Sequence, residues 1–183
     1  MIAFGMIDDL TYSYNGNRLN YISDAIGNQH YEGAFEFKAN TISTPYGAPR
    51  YGYDGCGAIT YDTNRGITKI DYDLLGNPKR VQFNNGNVTE YIYSADGTRL
   101  KTTHKTAVAG LSVGIGNSRT LTGKETQSTT TIHYFGNFVY DNGYLKYYFA
   151  DGYTDGGGEN TVHYCIKDHQ GSNRVMANNT NNN

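Results

Sequence analysis

The residues best equipped for chemistry lie late in the chain. His163, Cys165 and His169 are potential metal ligands, because His163 and Cys165 would share one face of a strand and His169 follows in the next turn. Zinc needs three or four donors converging in a tetrahedron, and only Cys56 or another scattered histidine could complete the set. A β-hairpin with ordinary polar residues accounts for the same pattern, so neither a metal nor another cofactor is expected. Asp168 and Arg174 invite a catalytic reading, yet a turn aspartate ordinarily accepts backbone N–H bonds. The arginine would then pair with a carboxylate or carbonyl of the neighbouring strand. Asp54, Asp73, Asp96 and Asp141 fall at what read as equivalent turn positions, which argues for turn formation at each rather than a catalytic carboxylate pair. There is no Gly-x-Ser-x-Gly elbow, phosphate loop or dinucleotide fingerprint, and Gly156, Gly157 and Gly158 run into Glu159 without a phosphate-binding lysine. No catalytic residue is expected.

Tyrosine offers a different chemistry: the chain has 18, and no tryptophan. Exposed rings on a sheet stack on sugar faces. The simpler role is packing, since same-face tyrosines at i and i+2 are what cross-strand pairs require, each contributing about 0.2–1 kcal/mol. Three tyrosines introduce short turns ending in glycine: Tyr53-Asp54 to Gly57, Tyr72-Asp73 to Gly76, and Tyr93 through Asp96 to Gly97. Their spacing of about 20 residues lies in the range of repeat architectures.

Those turns must be held by strands. Val88 to Tyr93 alternates with a period of two and would return after Gly97 as Thr98 to His104. The same strand-turn-strand design places hairpins around Asn15-Gly16, Asp54-Gly55, Gly76-Asn77 and, with Tyr140, Asp141 and Gly143, around Asn142-Gly143. Glycine is frequent, at 23 residues, and no window of ten or more carries a helical stripe. The fold expected is all-β, built from antiparallel hairpins, with Gly97 and Gly143 at positive φ. Ser23 to Pro49 and Lys105 to Thr131 read as irregular, the latter as a mobile loop or a long hairpin with a polar tip. Residues 1–176 read as one repeat region, and 177–183 as a disordered tail.

With apolar residues at only 37%, much of the core is expected to be tyrosine. A net charge of −2 offers no footprint for nucleic acid or for a charged membrane surface. No stretch approaches the apolar length of a spanning helix. Two distant cysteines, Cys56 and Cys165, neither demand nor exclude a disulfide. The N-terminal ten residues lack a basic region and are interrupted by Asp8 and Asp9, so they do not read as a signal peptide. Either the chain is cytosolic or it is a piece of a larger secreted protein.

The ordered Tyr-Asp-x-x-Gly units resemble the YD repeats of the RHS (rearrangement hotspot) family. The segment from Tyr164 to Val175 resembles the RHS core-associated motif, with Tyr164, Asp168, Gly171 and Arg174 on its pattern, and Gly136 to Gly143 resembles the approach to that motif in Bacteroidetes-type members. The resemblance spans roughly Leu10 to Met176. It implies a spiralling β-sheet closing into a hollow shell, in bacterial members commonly around a C-terminal toxin, within a secreted or cell-surface protein; it also implies an association with carbohydrate binding. A full shell needs many more repeats, so the chain is expected to be a fragment or remnant whose partners are the rest of the shell, its payload, or glycans. Two unpaired sheet edges would then make the isolated chain self-associate.

Overall fold

The computed structural model describes residues 8–26, 37, 42–44, 48–156 and 161–179. Among these there is no helix. Fourteen strands follow one another: β1 (Leu10–Asn15), β2 (Arg18–Asp24), β3 (Tyr51–Tyr53), β4 (Ile59–Asp62), β5 (Ile67–Tyr72), β6 (Pro78–Phe83), β7 (Val88–Tyr93), β8 (Arg99–Ala107), β9 (Thr126–Phe135), β10 (Phe138–Asp141), β11 (Tyr144–Phe149), β12 (Gly152–Asp155), β13 (Thr161–Lys167) and β14 (Asn173–Asn178). β1 and β2 form a separate two-stranded sheet, and β3 to β14 form a 12-stranded sheet in which the strand order is the chain order. The strand pairs whose register is resolved are all antiparallel. The all-β, antiparallel expectation therefore holds.

The chain divides into two compact units, residues 1–88 with 106–127 and residues 89–105 with 128–183. In the first, the interior is more polar than the sequence suggests. Thr63, Thr68 and Gln82 are fully buried beside Val81, Val88, Ala107 and Val113, and Tyr51 is the one tyrosine buried among the described residues. The expectation that much of the core is tyrosine is corrected: apart from Tyr51 the described tyrosines are half-buried or exposed, and polar side chains, Thr68 and Gln82 among them hydrogen-bonded to backbone carbonyls, fill the interior.

The segment between β8 and β9 accounts for much of this. β8 and β9 are hydrogen-bonded neighbours, so the ends of the region close a long hairpin, but the segment between them is no projecting polar tip, for it folds back over its own unit. Val108 N–H donates to Glu125 O at 2.9 Å, Val113 N–H to Asn84 O at 2.8 Å and Gly116 N–H to Thr68 O at 2.9 Å. Lys105 and Thr131, the ends of the region read as irregular, lie in β8 and β9. The tail needs a similar correction: Ala177 and Asn178 belong to β14, opposite Tyr164 and His163, while 180–183 lie outside the described residues. Of the stretch Ser23 to Pro49, Ser23 and Asp24 close β2, and most of the rest lies outside them too.

Candidate functional site

Three of the turns share one construction. At Asp54, Asp73 and Asp168 the residue's N–H donates to the carbonyl four residues on (2.9, 2.9 and 3.0 Å), and the glycine three residues on donates back to its carbonyl. The side chain completes the loop. Oδ1 of Asp54 accepts from Cys56 and Ala58 N–H, that of Asp73 from Leu75 and Asn77, and that of Asp168 from Gln170 and Ser172, all between 2.9 and 3.0 Å. Gly57, Gly76 and Gly171 stand at φ 89°, 81° and 82°, the left-handed region open to glycine. The carboxyl of Asp73 is held below its usual range first by the Asn77 N–H, and that of Asp168 first by the Ser172 N–H.

The four aspartates read as equivalent are not all so. In the turn between β7 and β8 Ser94 takes the first place, with the same backbone bonds to Thr98 and Gly97, and Asp96 sits two residues later, accepting from Thr98 N–H at 3.0 Å. Asp141 belongs to a tight two-residue turn, Asn142 at φ 50° and Gly143 at φ 88°; its carboxylate faces Lys146 Nζ at 3.6 Å. Gly97, at φ 84°, matches expectation as Gly143 does.

The repeated tyrosines tie hairpins together. Tyr53 Oη donates to Leu19 O at 2.9 Å and Tyr72 Oη to Ile59 O at 2.7 Å, each reaching the returning strand of the preceding hairpin. Burial raises the Tyr72 hydroxyl pKa. Tyr93 instead lies beside Arg99, whose guanidinium is 5.1 Å from the Tyr91 ring centre and 6.0 Å from that of Tyr93.

Arg174 finds its partner within its own turn. Its Nε and Nη2 donate to Asp168 Oδ2 at 2.8 and 2.7 Å, a charge-assisted fork that closes the β13–β14 hairpin rather than reaching a neighbouring strand. Tyr164 lies in β13, half exposed, against the edge of Phe149 at 6.1 Å between ring centres. His163 stacks on Tyr153 at 4.5 Å. Both cysteines carry free thiols, and among the described residues no three His, Cys, Asp or Glu side chains are placed to hold a metal.

A surface the sequence did not single out lies on β9, β10 and β11. Phe138 pairs across the ladder with Phe135 and Tyr140 with His133, so the four rings share one face. Tyr147, opposite Phe138 on β11, extends it at 4.9 Å between ring centres. With Thr131, Asn142 and Gly143, the rings of His133, Phe135, Phe138 and Tyr140 line an open groove of about 670 Å³ that carries no carboxylate or ammonium group. Phe135 is 59% exposed and Phe138 46%. Alternation along Phe138-Val-Tyr140 was the available signal, but β9, which supplies three of the seven lining residues, falls partly in the region read as irregular.

No family model matches the chain, and no curated protein is significantly similar to it.

Proposed function

We propose that the chain is a non-catalytic structural segment of an RHS/YD-repeat β-shell, in a secreted or cell-surface bacterial protein of the kind that encloses a toxin payload. The observation that carries the reading is the recurrence of one Asp-x-x-Gly turn at Asp54, Asp73 and Asp168, with tyrosine hydroxyls joining successive hairpins at Tyr53 and Tyr72. In each of these turns the aspartate carboxylate is engaged in holding backbone N–H groups. The test is the surrounding reading frame: further YD repeats and a variable C-terminal region are expected beside this segment, and a frame bearing neither overturns the proposal. Within such a parent protein, Asp168→Ala should lower folded yield more than Asp168→Asn, which keeps the shape and one acceptor. Loss of any self-cleavage at wild-type yield and thermal stability would instead make Asp168 catalytic.

A second reading is favoured by the aromatic groove on β9 and β10. Flat apolar rings bordered by Asn142, Thr131 and the Tyr140 hydroxyl suit a neutral sugar, whose C–H faces stack while its hydroxyls take the polar rim. A glycan array with the intact chain and with Phe135→Ala discriminates: binding lost in the variant supports a glycan-binding module, and no binding by either removes it.

A further inference from the structure

We infer that the β14 edge is a self-pairing surface through which two copies of this chain join their sheets. β14 has a hydrogen-bonded neighbour on one side only among the described residues, and all six of its residues are exposed. The direction of its backbone groups follows from the ladder. Cys165 N–H on β13 donates to Asp151 O, away from β14, whereas Val162 O accepts from Asn179 N–H. Strand groups alternate sides, so Tyr164 and Ile166 bond toward β14, and their partners Ala177 and Val175 bond back. Met176, between them, therefore aims its N–H and C=O outward.

Edge strands are normally blunted by charge, proline or a bulge. β14 carries a bulge at its start, at the register shift beside Ile166 and Lys167, and one charge, Arg174, already held by Asp168. Past that point Val175, Met176 and Ala177 present an apolar stretch, with Val175 and Met176 more than half exposed. An antiparallel partner continues the ladder that every strand from β9 onward already makes. With Met176 on the two-fold axis, Val175 meets the partner's Ala177 and the two Arg174 side chains lie on opposite sides of the axis, so like charges are not opposed. The other end of the large sheet is covered differently: Arg50 N–H, just before β3, donates to Asn20 O of β2 at 2.9 Å, and Tyr53 Oη to Leu19 O. A pairing of β14 with itself is isologous and closes at two copies.

The experiment is light-scattering mass across a concentration series of the 183-residue chain, with amide exchange at Met176. Twice the 20.3 kDa chain mass should appear within about 1–100 μM, the range of a short ladder of hydrogen bonds and few apolar contacts. Met176→Pro removes only an outward N–H and should weaken pairing about tenfold or more while leaving the circular dichroism unchanged. Val175→Lys serves as an independent second variant. A wild-type monomer throughout, a Met176→Pro chain that still pairs, or masses growing past two copies would each overturn the inference. In the shell reading the same edge meets the next strand of the array, so a monomer here leaves that reading to its own test in the flanking frame.

Discussion

β6 and β11 are both six-residue strands, yet they live in opposite surroundings. On β6, Gln82 is fully enclosed, its Nε2 within 3.1–3.3 Å of the Phe83, Gly86 and Asn87 carbonyls and its Oε1 accepting the Arg119 N–H of the overlying loop at 2.9 Å. On β11, Tyr147 is 37% exposed and leans on Phe138 and Phe149 in the plane of the sheet. The first unit obtains burial by laying a loop over its strands and satisfying buried polar groups; the second relies on strand pairing and rings that pack sideways. A chain poor in aliphatic residues can thus stabilise sheet in two ways, and the two should fail differently.

The largest effect is expected at Gln82. Gln82→Leu keeps the volume but strands buried carbonyls and the loop amide of Arg119, and each buried group left unsatisfied costs about 1–3 kcal/mol. A loss of about 3 kcal/mol or more in denaturant unfolding is expected, with the loop from Val108 to Glu125 becoming open to proteolysis. A loss under about 1 kcal/mol would mean the buried network does not hold the first unit together.

A matched pair of glycines isolates the cover itself. Gly86 and Gly171 close turns of the same backbone pattern at φ 88° and 82°. A Cβ at Gly86 would sit 3.0 Å from the Cβ atoms of Ala107 and Leu111, whereas at Gly171 nothing lies within 4 Å. Gly171→Ala should cost about 1–2 kcal/mol from left-handed strain alone. Gly86→Ala should add about 1–3 kcal/mol of overpacking to that. Equal midpoints for the two variants would show that the loop yields freely.

The turns were legible because their chemistry is local: an aspartate and a glycine three residues later specify the whole loop at Asp54, Asp73 and Asp168. The same spacing would have separated Asp96 and Asp141, whose glycines follow after one and two residues, but grouping by the preceding tyrosine obscured it. Hairpin partners were legible wherever the alternation was strict. What could not be read was non-local. Nothing around Gln82 announces that a loop more than 30 residues later will cap it, and β12, four residues long with Gly152 at its start, has too little alternation to stand out. The aromatic groove needed a register, Phe138 against Phe135, that only the folded ladder supplies.

In the second unit, single truncations should be mild. Phe138→Ala removes the ring contact with Tyr147 but little enclosed area, so about 1 kcal/mol is expected from the lost aromatic pair. A thermal scan showing a loss as large as that of Gln82→Leu would place the second unit's stability in its exposed face and erase the contrast.

The smallest effect is an acid sensitivity of the covering loop. Glu125 Oε2 accepts from Thr122 N–H at 3.1 Å, and Arg119 Nη2 donates to its Oε1. Together, the Thr122 amide first, they lower its pKa from 4.5 to about 2. Because the folded value lies below the unfolded one, the contribution is fully present above pH 4.5 and fades as pH falls toward about 2. Urea midpoints at pH 5 and pH 2.5 should therefore differ, and Glu125→Gln should narrow the difference by lowering the pH 5 value alone. Asp168, also held below its usual range, titrates in the same direction in the second unit, so amide exchange at Val108, whose N–H donates to Glu125 O, assigns the effect. A lower protection factor at Val108 below pH 4 in the wild type, and a protection factor there that does not change with pH in Glu125→Gln, locates the switch in the loop; unchanged acid behaviour in the variant places it with the turn aspartates instead.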